Sequence, residues 1–371
     1  GSVKIGSLDG GEPRVLFDAE SAAVPASGHL LYLAANTLLA RPYDEATGEP
    51  TGGAFPVAER VESIFAAGTG VFSASDNGVL VYQVDTPDVA MSLVWMDREG
   101  NETGTLGEPS MYDNPDFSPD GEYLALEDWS SGESADLWIY EISRGIRTRF
   151  TLGTASEVEP KWTPDGRFII YTSDESGAFD LYRKSVVGSE EAELLLATEV
   201  DKTPYHVSPD GRLLAFGQEQ DVWVLPLDGS GEAYPFLDGE YSEWGAQFSP
   251  DGRWMAYNSN ESGQVEAYVA PFPGPGRKYQ LSTEGGAGPE WRDDGKEILY
   301  GHEDGLFSVT VESGANALRI GPPVRLLELT GVVGGAIFPG AQRFLAIKSE
   351  REPEVAPLAL VVNWTAELEG R

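Results

Sequence analysis

The residues best placed to do chemistry recur at one inner position of a repeated phrase, directly before an aromatic or apolar residue. We expect this position to face a central channel, because its charge varies while the following residue keeps its apolar character. The inner position could form a binding site. The alternative is that it only lines a water-filled channel that holds no ligand. The residues at the inner position are Asp116, Lys161, His206, Gln247, Glu290 and Ala336.

The loops that lead into these segments mix aromatic and acidic residues. We expect them to gather at one mouth of the channel, where they could hold a protein segment, a sugar or a cationic ligand. The alternative is that the aromatic residues only cover the edges of the sheets. The candidates from these loops are Tyr112, Glu159, Lys202 and Trp244.

Catalytic and metal sites are not indicated by the residue pattern. The three histidines, His29, His206 and His302, fall at different positions of the repeat, so we do not expect them to share an ion. Cysteine is absent, which excludes thiolate chemistry, and no Gly-x-Ser-x-Gly elbow occurs. We therefore predict a non-enzymatic protein with no cofactor and no metal. A metal-dependent lyase, with an ion near His206, or a peptidase-associated propeller is the rival hypothesis.

A turn phrase of Ser or Thr followed by Pro-Asp-Gly precedes an apolar run in each clear repeat. Proline presets the turn, aspartate bonds the local backbone and glycine accepts a positive φ, so each phrase predicts a β-hairpin. The copies recur about every 45 residues, a spacing typical of propeller blades. The glycine positions of the turns are Gly28, Gly78, Gly121, Gly166, Gly211, Gly252 and Gly295, with Ala341 in the eighth place.

These repeats predict an all-β fold, a single β-propeller of four-stranded antiparallel blades over residues 1–371. Eight blades are expected and seven are the alternative. We expect residues 1–17 to close the ring by adding an N-terminal strand to the last blade. The predicted blades span about 18–60, 61–106, 107–150, 151–197, 198–237, 238–281, 282–326 and 327–364.

With its Ser-Pro-Asp-Gly turns, the chain resembles the TolB-like propeller family. The ending Leu360–Leu368 and the block Ala270–Gly276 resemble propeller regions that follow a bacterial serine/threonine kinase domain and one membrane span. This resemblance implies a periplasmic or extracellular sensor or interaction domain, here a piece of a longer, membrane-anchored protein. A TolB-like protein-interaction module without a small ligand is the alternative that it leaves open.

Composition limits the class of partner. The chain has 61 acidic and 25 basic side chains, a net charge of −36, which repels nucleic acid and anionic membranes. A salt-adapted source or a GC-rich genome would both explain the scarcity of lysine. No apolar run is long enough to span a bilayer. We predict a monomer that binds an unknown protein or small ligand at the mouth of the channel.

Overall fold

The computed structural model shows an all-β chain, which confirms the predicted class and the four-stranded antiparallel sheets. It divides into two compact units: unit 1, Gly1–Asp88 with Pro353–Arg371, and unit 2, Val89–Glu352. That the two form one domain stays a prediction. The structure describes residues 2–6, 13–19, 21–34, 36–64, 69–84, 90–130, 134–188, 191–274, 276–314, 317–350 and 358–367.

Unit 1 contains one four-stranded sheet, β3-β4-β5-β6, one three-stranded sheet, β9-β10-β36, and the pairs β1-β2 and β7-β8 among its described residues. Its core packs Leu31, Leu38 and Leu80 with Trp364, which lies in a 3₁₀ helix at Trp364–Glu367. The strands are β1 (Ser2–Ile5), β2 (Arg14–Asp18), β3 (Val24–Ala26), β4 (His29–Ala34), β5 (Thr37–Pro42), β6 (Phe55–Ala58), β7 (Ser63–Ile64), β8 (Thr69–Gly70), β9 (Phe72–Ala74), β10 (Val79–Gln83) and, from the C-terminal part, β36 (Leu358–Val362).

Among its described residues, unit 2 contains six sheets. The first four comprise β13 (Tyr112–Phe117), β14 (Tyr123–Asp128), β15 (Asp136–Glu141) and β16 (Ile146–Arg149); β17 (Glu157–Trp162), β18 (Phe168–Ser173), β19 (Asp180–Ser185) and β20 (Glu193–Leu196); β21 (Lys202–Val207), β22 (Leu213–Gln218), β23 (Asp221–Pro226) and β24 (Tyr234–Leu237); and β25 (Glu243–Phe248), β26 (Trp254–Ser259), β27 (Glu266–Pro271) and β28 (Tyr279–Gln280).

The last two sheets of unit 2 are less regular. In the fifth, β31 pairs with both β32 and β33 at its outer side; the sixth has the order β12-β11-β35-β34. Their strands are β29 (Ala287–Trp291), β30 (Glu297–His302), β31 (Gly305–Ser313), β32 (Leu318–Ile320) and β33 (Val324–Leu327), and β11 (Met91–Asp97), β12 (Glu102–Ser110), β34 (Val332–Ile337) and β35 (Arg343–Ser349).

The predicted hairpin turns join the first and second strands of the sheets. In the third sheet, the Ser208 hydroxyl donates to Asp210 Oδ1 over 2.6 Å and accepts from the Leu213 amide over 2.9 Å. Gly211 has a φ of 73°, the left-handed value that the turn requires. The second strand that follows is buried at its centre, where Leu214, Ala215 and Phe216 are inaccessible to solvent. The turn therefore places an exposed bend directly before a strand that is packed between neighbouring sheets.

The predicted closure of the last blade was wrong. We expected Leu358–Val362 and an N-terminal strand to complete the blade at 327–364. Instead β35 pairs with β11 over seven residues, whereas β36 pairs with β10 and β1 with β2; positions 1 and 7–12 of the closing segment lie outside the described residues.

The physical reason that β11 and not β36 pairs with β35 is the amount of apolar surface that each strand buries. Strand β11 buries four consecutive side chains, Leu93 to Met96, next to β35. In β36, by contrast, Leu358, Leu360 and Val362 remain 65–69% exposed. Eight sheets of three or more strands occur in the described residues, as many as the predicted blades, and six of them belong to unit 2.

Candidate functional site

The first strands of the six sheets of unit 2 line a common cavity of about 1150 Å³. The hairpin prolines at one end of these strands and the bulged segments at the other both contribute to its wall. A six-residue strand rises roughly 20 Å, so the cavity follows the length of the first strands. All six residues of the inner position line it, as the alignment of the repeats predicted: Asp116, Lys161, His206, Gln247, Glu290 and Ala336.

Each first strand contains a β-bulge before the inner position, directly before it in five sheets and two residues earlier in the sixth. The register with the second strand shifts in all six sheets, for example between Asp113 and Asp116 and between Val158 and Lys161. The bulge residue Glu159 has a φ of 57°, an unfavourable value for a side chain other than glycine or asparagine. Bulges of this kind re-aim side chains next to functional sites, and here they precede the side chains of the cavity wall.

Three inner-position side chains hold the next sheet of the ring. Asp116 Oδ2 accepts from the Trp162 amide over 2.7 Å, and His206 Nδ1 accepts from the Phe248 amide over 3.2 Å. Gln247 Oε1 accepts in the same way from the amide of Trp291. Because each bond joins consecutive sheets, these residues have a structural task in addition to lining the cavity.

Lys161 and Glu290 lack such a partner. Neither forms a hydrogen bond or an ion pair with any residue in the described parts of the chain, although both line the cavity. Burial raises the pKa of Glu290 to about 7, with the Asp116 carboxylate adding to the rise and Lys161 opposing it. Burial disfavours the charge of Lys161, but Asp116, Glu159 and Glu290 together raise its pKa. The cavity therefore contains polar groups that no protein contact satisfies.

The other two titratable inner residues respond to burial as expected. Burial raises the pKa of Asp116, while Lys161 and the Trp162 amide act against this rise. Burial and the nearby ammonium group of Lys161 lower the pKa of His206 to about 4. His206 is therefore neutral at pH 7, which agrees with its role as an acceptor for the Phe248 amide.

Glu127, on the second strand β14, was missed by the sequence analysis. Its Oε1 accepts from the Asn114 side chain and from the Glu159 amide, each over 2.7 Å, and its Oε2 accepts from Trp129 Nε1 over 3.0 Å. It thus holds the bulges of two consecutive sheets. Burial raises its pKa to about 7, against the effect of the donated hydrogen bonds. The signal that could have found it is a carboxylate directly after the apolar run Leu124–Leu126, on the same strand.

Two loop candidates lie where the sequence placed them and two do not. Glu159 and Trp244 line the cavity. The expectation for Tyr112 and Lys202 was wrong, because neither is part of the cavity wall. Both side chains are buried: the Tyr112 hydroxyl donates to the Glu108 carbonyl over 2.6 Å, and Lys202 Nζ pairs with Asp180 over 2.6 Å. Each satisfies its polar group between strands instead of facing a ligand.

The histidines do not come together at a metal site in the described residues. His29 belongs to unit 1, where its Nδ1 contacts the Ser27 carbonyl oxygen at 2.8 Å. In the described residues, the one group of three potential ligands within reach of each other is His302, Glu303 and Asp304. His302 already contacts the Glu284 carbonyl oxygen at 3.0 Å and accepts from the Asp304 amide. This group consists of consecutive residues at the end of β30 and lies outside the cavity wall.

Comparison with known proteins agrees with the repeated turns and the antiparallel sheets. Residues 100–233 match the family model described as the TolB beta propeller domain, PD40. A solved structure of a TolB of Agrobacterium tumefaciens superposes with a TM-score of 0.55 at 18% identity, over 71% of this chain and all of that chain. The fold is a TolB-like β-propeller. In the described residues, no helix of this propeller chain has the length and apolar character to cross a membrane.

Curated relatives match parts of this chain. They include an uncharacterized peptidase, YuxL, of Bacillus subtilis (27% identical over 42% of this chain), an uncharacterized protein, Atu1656, of Agrobacterium fabrum (29% over 50%) and a TolB homolog of Chlorobium chlorochromatii (34% over 28%). The matches span 23%, 52% and 22% of the length of these three relatives, respectively.

Proposed function

We propose that unit 2 is a non-enzymatic binding propeller that takes a ligand or a segment of a partner protein into its central cavity. The observation that carries this proposal is the pair Lys161 and Glu290, two charged side chains that face the cavity without a protein partner. Both side chains are only partly buried, and a bound molecule that displaced water from them without offering a partner would incur a cost. A bound molecule that pairs with them would recover part of that cost.

The chemistry of the wall favours binding over turnover. His206 uses Nδ1 to hold the next sheet, and no Gly-x-Ser-x-Gly nucleophile elbow occurs in the sequence. The relative named as a peptidase is the observation that favours the enzymatic rival, but the match spans 23% of its length. Hydrolytic turnover of a chromogenic peptide by the purified chain, lost on blocking the cavity, would contradict the proposal.

We place this propeller, on the resemblance of its ending to kinase-linked propellers, outside the cytoplasmic membrane as the sensory part of a membrane-bound kinase. The partner would then be a periplasmic or extracellular molecule, and unit 2 would act as a monomer. The alternative of a TolB-like protein-interaction module needs the same cavity but no small ligand. Sequencing the gene upstream of the chain tests the kinase context, since a kinase domain followed by one membrane span is required there.

Blocking the cavity tests the binding function. Ala336 holds the inner position of the sixth sheet with the smallest side chain of the set, so Ala336→Trp should fill space without removing a polar contact. We expect compounds or envelope proteins that stabilise the wild-type chain in a thermal-shift or pull-down screen to lose their effect on this variant. Ala336→Ser is the matched control and should bind as the wild type does. Equal binding by all three chains would overturn the proposed function.

A further inference from the structure

The charges in the cavity wall are unequal. Four carboxylates lie near enough to Lys161 to raise its pKa, and three of them, those of Asp116, Glu159 and Glu290, line the cavity. In the described residues, none of these carboxylates forms an ion pair with Lys161. Once Glu290 is ionised, above pH 7, one ammonium group therefore faces three carboxylates of the cavity wall, and this part of the wall has an excess of negative charge.

The remaining lining residues do not reverse this excess. Arg292 is committed to two carboxylates outside the deep group, with bonds of 2.8 Å to Asp294 and 2.6 Å to Glu297. His206 is neutral at pH 7 because its pKa lies near 4. Asp113 and Asp293 add further acidic groups to the wall. An incoming anion would meet this negative field throughout, whereas a cation would be attracted by it.

Aromatic side chains complete an environment that suits a cation. Tyr205 and Trp244, both partly buried, line the cavity beside the bulges of the third and fourth sheets. Aromatic faces attract ammonium and guanidinium groups, most strongly where water is displaced. The carboxylate of Glu290 adds the decisive group, because it is directed into the cavity and has no protein donor in the described residues.

We propose that the cavity recognises a cationic group, an ammonium or guanidinium, with Asp116, Glu159 and Glu290 as its counter-charges. This inference rests on the proposed function and names its ligand class. The cationic group belongs either to a lysine or arginine side chain of a protein segment or to a free polyamine. In both cases the ligand competes with Lys161, the ammonium group that the protein itself directs into the cavity.

Calorimetric titration of the full chain at low ionic strength and pH 8 tests this ligand class. The cationic probes are agmatine and the peptide acetyl-Gly-Gly-Arg-Gly-Gly-amide, and the anionic controls are glutarate and the same peptide with Glu in place of Arg. We expect one site for at least one cationic probe and none for the controls. Binding of agmatine alone indicates a polyamine source, and binding of the peptide alone indicates a protein segment.

Variants that remove either a negative or a positive charge from the cavity wall make the test more specific. Glu290→Gln and Asp116→Asn keep their acceptor oxygens and should each weaken cation binding about tenfold, because each removes one nearby counter-charge. Lys161→Met should strengthen it by about the same factor. Glu122→Gln, at an exposed turn, is the matched control and should change nothing. Circular dichroism confirms that each variant is folded before titration.

The inference and the proposed function fail in different ways. Binding of an anionic probe, or a loss of cation binding in Lys161→Met, would overturn the cationic class; the proposed function would survive if Ala336→Trp blocked the anionic probe. Absence of binding by every cationic probe also overturns the inference. The proposed function itself fails if the blocked cavity leaves all binding to the chain unchanged, or if the chain shows hydrolytic turnover that is lost on blocking the cavity.

Discussion

At the scale of single residues, the inner position serves two purposes in one ring. Asp116, His206 and Gln247 each accept an amide proton from the next sheet, so their polar groups are satisfied by the fold. Lys161 and Glu290 occupy the same position without such a bond. A position that is structural in three sheets is therefore available for binding in two others.

Glu290 should make the stability of the chain depend on pH. Burial raises its pKa from 4.5 to about 7. The stability that the protonated carboxyl gives the folded state is therefore fully present below pH 4.5 and is lost as the pH rises through 7. Asp116 and Lys161 are the charged groups that act on it. We expect the unfolding free energy of Glu290→Gln, measured relative to that of the wild type, to increase by about 2 kcal/mol when the pH is raised from 4 to 8.

Urea denaturation of both chains at pH 4, 6 and 8 measures this difference. Because the titration of His206 is common to both chains, it cancels in the comparison. Glu122→Gln, which replaces an exposed carboxylate, should follow the wild type at every pH. A difference between Glu290→Gln and the wild type that stays constant with pH would show that the Glu290 carboxyl titrates near its ordinary value.

At the scale of structural elements, the bulge in each first strand gives the cavity wall its shape. The bulges of the first two regular sheets meet at Glu127, which accepts from Asn114, Trp129 and the Glu159 amide. Since Glu159 adopts a left-handed backbone conformation, its amide needs a fixed acceptor. Glu127 is thus a positioning residue for a bulge that leads into Lys161.

Removal of Glu127 should destabilise unit 2. We expect Glu127→Ala to lower the free energy of unfolding by about 3 kcal/mol, because three partly buried donors lose their acceptor. Glu127→Gln keeps one acceptor oxygen and should cost about half as much. Chemical denaturation monitored by tryptophan fluorescence provides the measurement. Glu122→Ala is the exposed control, and an equal effect of the two alanine substitutions would contradict the role assigned to Glu127.

Features that depend on contacts between neighbouring residues could be predicted from the sequence. Features that depend on contacts between residues far apart in the sequence could not. The Ser208-Pro209-Asp210-Gly211 turn depends on bonds within itself, and the apolar run after it is buried as the pattern indicates. Tyr112 and Lys202 were misplaced because their partners, Tyr140 and Asp180, lie 28 and 22 residues away. The bulges were missed for the same reason, since the acceptor of the Glu159 amide lies on the preceding sheet.

At the scale of the whole molecule, ring closure decides which strands belong together. Both β11 and β36 are apolar strands that follow a marked hairpin, so the repeat alone does not say which one joins β35. The structure selects β11, whose side chains are buried, and leaves β36 with β10. This choice depends on the total apolar surface buried, a property that no single repeat contains.

This closure predicts that residues 89–352 fold on their own. We expect this segment to unfold in one cooperative transition, since all six sheets of unit 2 are complete within it. A segment that starts at residue 107, the predicted blade boundary, lacks β11 and should lose that transition, because β35 then has an unpaired edge. Circular dichroism with thermal unfolding compares the two segments. A cooperative transition in both would contradict the closure by β11.

The pairing of β11 with β35 also places the two ends of unit 2 side by side, with Met91 opposite Ser349. A tension applied through these ends would act across the hydrogen bonds of the pair and open them one after another from that end. Shearing, in which many bonds resist at the same time, would not occur. Pulled from its own two termini, the propeller would thus open first at the sheet that completes it.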